Sequence, residues 1–232
     1  MNVVVYGDFN CLLCYLASQR ADQLAGTGAA GIEWRAVERG AAPAHWEQEV
    51  AQAKALTLPG ERLPADPPPA LSSTVAAVAA YAEAITDGIQ DELRRRLFDA
   101  IWARRHNLSS AYDVRRVVTA ITWPAPPLYF HLTSPDLPLP LLHDPDPARI
   151  VRRSGGTVTL FGGPLTSTGY RRCRDWQEQW VALPRQVTPV VIGPDGTVHG
   201  GADGLRCLAA IMAAAGALTG RKRAVQPGPA LE

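Results

Sequence analysis

The hydrophobic positions of this chain switch period within its first fifteen residues. Val3-Val4-Val5-Tyr6 is an apolar, β-branched run, Gly7-Asp8-Phe9-Asn10 has turn composition, and Cys11-Leu12-Leu13-Cys14-Tyr15 opens a segment of helical spacing. The pattern predicts a strand, a turn and a helix reaching about Ala25, where Gly26 and Gly28 break it. Ile32, Trp34 and Ala36 then alternate with Glu33 and Arg35, which predicts a second strand. Strand, helix, strand in this order is a βαβ unit, with parallel strands and a right-handed crossover.

The other half of such a sheet appears near the C-terminus. Val190-Val191-Ile192 and Thr197-Val198-His199 flank Gly193-Pro194-Asp195-Gly196, a strong hairpin signal. Leu205, Leu208, Ile211, Met212 and Ala215 then form the apolar stripe of a last helix. Between the halves, residues 39–186 are mostly helical in pattern. Ala44 to Leu56 predicts a short helix and Pro59 to Pro69 a proline-rich connection. Stripes at Val75, Val78, Ala79, Ala82, Ile85, at Leu93, Leu97, Ala100, Ile101 and at Val114, Val117, Val118, Ile121 predict three antiparallel helices. Eight prolines between Trp123 and Pro147 exclude a regular helix and predict an extended wrap, either a surface connector or the rim of a substrate groove. Thr157 to Phe161 is expected as an extra edge strand. Tyr170 to Leu183 is expected as a helix with Cys173, Trp176 and Trp180 on one face.

The cysteine spacing brings in chemistry. Cys11 sits at the start of the predicted helix, where unpaired backbone N–H groups and the helix dipole favour an anion, here a thiolate. Cys11 is therefore the candidate nucleophile, and Cys14, one turn later, the thiol that resolves a mixed disulfide. Two other readings stay open: half of a zinc site completed by Cys173 and Cys207, or an inert buried pair. Zinc sites usually recur as close-spaced pairs, which Cys173 and Cys207 do not form. They are expected to be buried and inert.

Composition narrows the partners. A net charge of +1 gives no argument for nucleic-acid or membrane binding, and no apolar run approaches the length of a membrane span. The first residues carry no basic segment followed by an apolar signal core, so a cytoplasmic, reducing location is expected, where a C-x-x-C pair cycles. The five histidines show no metal-ligand spacing, and neither a metal nor an organic cofactor is expected. The arginine pairs 104/105, 115/116, 152/153 and 171/172 and the triplet 94–96 are expected to be solvated helix faces or, as a rival, an anion-binding surface.

Asp8-Phe9-Asn10-Cys11-Leu12-Leu13-Cys14-Tyr15 resembles the active-site segment of the DsbA-like thioredoxin-fold oxidoreductases, in particular the cytosolic branch related to FrnE and the chromene-carboxylate isomerase/kappa glutathione-transferase proteins. Ser73 to Ala84, Leu93 to Trp102 and Asn107-Leu108-Ser109 resemble that family's helical domain, and Val187-Thr188-Pro189-Val190-Val191-Ile192 its cis-proline loop and following strand. The resemblance implies an α/β, thioredoxin-like fold with a large, mainly helical insertion between the βαβ half and the C-terminal ββα half. Its parts are a discontinuous thioredoxin-like domain at 1–38 and 187–220, the insertion at 39–186 with the proline-rich segment 123–147, and a tail at 221–232. It also implies a cis Pro189 facing Cys11 and Cys14, with the Thr188 backbone open to an extended substrate. The expected activity is thiol–disulfide exchange on a protein or small-molecule partner; the sequence leaves the assembly open, a homodimer included.

The chain departs from the family between the cysteines. Leu12 and Leu13 offer neither a hydrogen-bond donor nor a charge to a thiolate, so Cys11 is expected to be less acidic than in strongly oxidising relatives. Both leucines are expected as an exposed apolar contact for substrate, or else packed beneath a neighbouring loop. Two rival functions remain: an enzyme of the glutathione-transferase or isomerase type that binds a low-molecular-weight thiol, against which the second cysteine counts, and a non-catalytic adaptor.

Overall fold

In a computed structural model, residues 2–28, 30–39, 46–66, 73–122, 158–159 and 161–224 are described, with 217–224 as backbone only. The proline-rich segment 123–147, residues 67–69 of the connection 59–69, and the tail beyond 224 lie outside them.

The two predicted half-sheets join through their first strand. β1 (Asn2–Gly7) pairs in parallel with β2 (Gly31–Ala36), from Asn2 opposite Gly31 to Gly7 opposite Ala36. On its other edge β1 pairs antiparallel with β3 (Val190–Ile192), Val5 opposite Val191, and β3 pairs with β4 (Val198–Gly200). The order is β2-β1-β3-β4. The hairpin closes as its Gly-Pro-Asp-Gly turn demands: Gly193 N donates to Thr197 O at 2.9 Å, and Gly196 takes a left-handed φ of 82°. Central β1 is covered on both faces, which is why its apolar run is continuous and does not alternate.

Helix α1 (Leu12–Thr27) crosses from β1 to β2. It runs through Gly26 and stops at Gly28, whose left-handed φ of 65° lets its N–H bond Ala25 O. The insertion contributes α2 (Trp46–Leu56), α3 (Val75–Asp87), α4 (Gln90–Phe98) and α5 (Ala111–Thr122), with a π-helical turn at Asp99–Ala103 extending α4. α3, α4 and α5 pack on one another. Gly88, at φ 70°, makes the tight Asp87-Gly88 link, its N–H and that of Ile89 capping the α3 carbonyls of Ile85 and Ala84. α6 (Ser167–Ala182) starts at Thr166, whose hydroxyl accepts from Gly169 N, and buries Trp176 and Trp180. α7 (Ala202–Ala224) lays its Leu205 and Leu208 stripe against α1 and the hairpin. The edge strand expected at Thr157–Phe161 is not found: Val158, Thr159 and Phe161 are not in a strand, and Thr157 and Leu160 lie outside the described residues.

The arginines depart most from expectation, because two of them are core residues. Arg94, one of the triplet expected to be solvated, is 2% exposed. It donates to Ser18 Oγ at 3.1 Å, pairs with Asp22 of α1 and lies over the Trp34 ring. Arg20 of α1, 1% exposed, makes a two-pronged bond to Glu61 at 2.6 and 3.0 Å. It also donates to the carbonyls of Leu205 (2.6 Å) and Leu56 (2.5 Å). These cations bind the insertion and α7 to α1 through fully partnered donors, the condition under which a buried charge is tolerated.

Removing Arg20 alone strands the Glu61 carboxylate, whose side chain has no exposure. Arg20→Met is expected to cost about 3–5 kcal/mol in urea unfolding, and the double replacement with Glu61→Leu to restore most of that. Equal losses in the single and double variants would count against this account.

Candidate active site

The site is built where β1 ends. Gly7 is the last residue of the strand, and the ring of Trp34 on β2 fills the space a Cβ would need there. The chain then turns on Asp8, whose Oδ1 accepts from Asn10 N (3.0 Å) while its carbonyl accepts from Cys11 N (3.1 Å). Trp102 of the π-helical turn fixes the same loop by donating to Phe9 O at 2.8 Å, and Trp46 of α2 stacks on it at 5.8 Å between ring centres. Thr74 and the Arg39 amide complete the shell of the Asp8 carboxylate at 2.9 and 2.8 Å. Burial raises the Asp8 carboxyl above its ordinary range, against the pull of these donors.

Cys11 is the N-cap of α1, in an extended conformation, with its sulfur accepting from Cys14 N at 3.4 Å. The Thr188–Pro189 peptide is cis, and the Thr188 carbonyl accepts from the Cys11 thiol at 3.4 Å. Cys11, Cys14, Thr188 and Pro189 are thus brought together, from opposite ends of the chain. All four cysteines are free thiols.

The Cys11 and Cys14 thiols are driven apart in acidity. Burial alone would raise Cys11. The Cys14 thiol hydrogen-bonding to it and the nearby charge of Arg39 prevail, and the Cys11 thiol lies below its ordinary range. Glu49 works against that outcome. The Thr188 hydroxyl, buried and without a well-formed hydrogen bond among the described residues, adds a smaller pull toward the thiolate. Cys14 is pushed well up by burial and by its hydrogen bond to Cys11. Cys14 therefore holds its proton more tightly than Cys11 does, the division a nucleophile and a resolving thiol require.

Of the two places open to Leu12 and Leu13 the structure shows the packed one: they are 1% and 4% exposed, in the core and not presented as a contact surface. Two expectations are corrected. The Thr188 backbone is not exposed: the residue is buried and its carbonyl accepts from the Cys11 thiol. Cys173 and Cys207 are half-buried, not fully buried. Burial, with Glu83 nearby, raises Cys173 to about 11, and burial also raises Cys207, so both stay protonated at neutral pH. Among the described residues no group of three His, Cys, Asp or Glu side chains is placed to hold a metal, and no helix is long and apolar enough to cross a membrane.

Arg39 and Glu49 went unread in the sequence. Arg39 follows β2 and reaches back to donate from Nη2 to Asn10 O at 2.8 Å. Glu49, on α2, accepts from Leu12 N at 2.9 Å through Oε1 and holds Oε2 3.5 Å from Arg39 Nη2. Neither belongs to a motif. Glu49 lies in the first turn of the observed α2, where the helix dipole explains an acid without any site.

No family model matches the chain, and no curated protein resembles it closely in sequence. Solved structures do match in fold. A 2-hydroxychromene-2-carboxylate isomerase superposes with a TM-score of 0.61 at 15% identity, covering 98% of this chain and 100% of its own. The cytosolic disulfide reductase DsbM from Pseudomonas aeruginosa superposes at 0.61 and 13%, covering 97% and 100%. The same reductase with GSH superposes at 0.57 and 13%, covering 96% and 100%. The chain therefore has the DsbA-like thioredoxin fold with its helical insertion.

The Cys11 alkylation rate as a function of pH tests the electrostatics directly. Its midpoint is expected below the ~8.5 of a free thiol. The rate falls as pH drops through that midpoint, because the proton then returns to the nucleophile. Arg39→Met is expected to move the midpoint up and to slow alkylation at pH 7 several-fold. An unmoved midpoint in a folded variant would show that Arg39 has no part in it.

Proposed function

We propose that this protein is a thiol–disulfide oxidoreductase acting through Cys11 and Cys14, in a reducing compartment such as the cytosol, on small-molecule or protein thiols and disulfides. The observation that carries the reading is the split between the two thiols, an acidic Cys11 capping a helix beside a cis-proline turn and a strongly protonated Cys14 one turn along.

In the reducing direction the Cys11 thiolate attacks one sulfur of a substrate disulfide. A Cys11–substrate disulfide forms, and the other substrate sulfur leaves as a thiolate that takes a proton from water. Cys14 then loses its proton and attacks the Cys11 sulfur, expelling the second substrate thiolate. The substrate has gained two electrons and the protein holds a Cys11–Cys14 disulfide. Two equivalents of a low-molecular-weight thiol reopen it, leaving as their own disulfide; the GSH complex of a cytosolic reductase with this fold supports that class of reductant. Thr188 and Pro189 form the wall against which the second sulfur is aligned, and Leu12 and Leu13 hold the helix start in place from within the core. Cys11 is 0% exposed, so exchange requires the walls around its sulfur to part.

Equilibration in graded GSH/GSSG buffers, followed by acid quench, alkylation and peptide mapping, tests the proposal. Cys11 and Cys14 are expected to convert together while Cys173 and Cys207 stay reduced. Cys14→Ala should accumulate a Cys11–glutathione disulfide, and Cys11→Ser should abolish both species. Tight binding of GSH with no mixed disulfide would overturn the reading in favour of a transferase or isomerase chemistry.

A further inference from the structure

Two anionic groups compete for one helix end. The first turn of α1 presents amide N–H groups with no partner inside the helix, and Cys11 and Glu49 each take one: the sulfur accepts from Cys14 N at 3.4 Å, the carboxylate from Leu12 N at 2.9 Å. A carboxylate on that amide offsets part of the positive field that would otherwise favour the thiolate. Glu49 also draws on Arg39, the favourable charge acting on Cys11 among the described residues. Its Oε2 lies 3.5 Å from Arg39 Nη2, and neither this oxygen nor Arg39 Nε has a hydrogen bond among the described residues. The guanidinium therefore acts by charge on both the Glu49 carboxylate and the Cys11 sulfur. The charged and titratable groups around that sulfur are Arg39 after β2, Glu49 on α2, Asp8 after β1 and Cys14 on α1, and of these Arg39 and Glu49 act on it directly by charge.

We infer that Glu49 is a positioning residue for Cys11: by holding the Leu12 amide and sharing Arg39, it keeps the nucleophile less acidic, and the Cys11–Cys14 disulfide less oxidising, than the helix end and Arg39 alone would make them. This rests on the thiol–disulfide reading only for the disulfide. The effect on the Cys11 proton needs no substrate. Because Glu49 belongs to the insertion and Cys11 to the sheet domain, the strength of this restraint follows the placement of α2 on α1. Lifting α2 would release the amide and the guanidinium to the thiolate together. The restraint also suits a reducing task, since a strongly stabilised thiolate favours the dithiol and makes the pair an oxidant.

Glu49→Gln is the deciding variant, because it keeps an acceptor for the Leu12 amide and removes only the charge. Its Cys11 alkylation midpoint should fall, and its disulfide, equilibrated with GSH/GSSG, should open at roughly three- to tenfold lower glutathione-reducing ratio than in the wild type. Glu49→Asp, which keeps the charge, should stay near the wild type on both measures. Urea unfolding of each variant checks that the fold is intact. A midpoint that is unmoved or raised in folded Glu49→Gln overturns the inference. If the midpoint falls but Cys11 and Cys14 never pair in any variant, the inference about Glu49 stands and the oxidoreductase reading fails.

Discussion

The constraint on which this structure turns is the unmet hydrogen-bonding capacity at the N-terminus of α1. A helix start must satisfy its first amides from outside the helix, and a buried one cannot leave that to solvent. Here the partners are the Cys11 sulfur and the Glu49 carboxylate, with Asp8 fixing the turn just before them. The same requirement places a reactive sulfur at the positive end of a helix and ties the insertion to the sheet domain. A local need of the backbone thus fixes the nucleophile's environment and part of the domain packing at once.

The remaining ties follow the same logic of polar groups completed across the fold. Trp102 spends its one N–H on the Phe9 carbonyl of the active-site turn, and its ring is sandwiched by contacts with Trp46 and Tyr15. Arg20 and Arg94 carry their charges into the core because every strand of their fork meets a carboxylate, hydroxyl or carbonyl. Such contacts are intolerant of small shifts, so they hold the Cys11 turn in register with α2, α4 and α7. That rigidity is what gives an electrostatic balance among Cys11, Arg39 and Glu49 any constancy.

How much of this was legible depends on the range over which each feature is determined. The β1 run, its Gly-Asp turn, the Cys11 helix start and the Gly193–Gly196 hairpin are local signals, and each formed where its residues placed it. The helix stop slid from Gly26 to Gly28 because a glycine inside a helix costs only about 1 kcal/mol, while the left-handed cap needs one at the end. Arg20, Arg39, Arg94 and Glu49 were illegible for a different reason. A charged residue at a helical position reads as solvated unless its partner is known, and the partners lie in other elements. Whether Leu12 and Leu13 are exposed or packed was undecidable for the same reason, since nothing local announces that the start of α1 is covered.

The apparent weakness of a Leu-Leu dipeptide between the cysteines then has a physical counterpart. With no donor or charge supplied by the two leucines, the acidity of Cys11 is set by the Cys14 thiol within the motif and by groups that arrive through tertiary structure: Arg39 from the end of β2, Glu49 from α2, Thr188 from the cis-proline turn. Two apolar side chains at these positions also bury the turn more deeply than polar ones would, which strengthens every charge interaction at the sulfur by lowering the local dielectric. Burial by itself disfavours a thiolate, and the Cys14 hydrogen bond and the Arg39 charge oppose it while Glu49 works the other way. In this chain the motif supplies the two sulfurs, and groups from the sheet, the insertion and the cis-proline turn together set the acidity of Cys11.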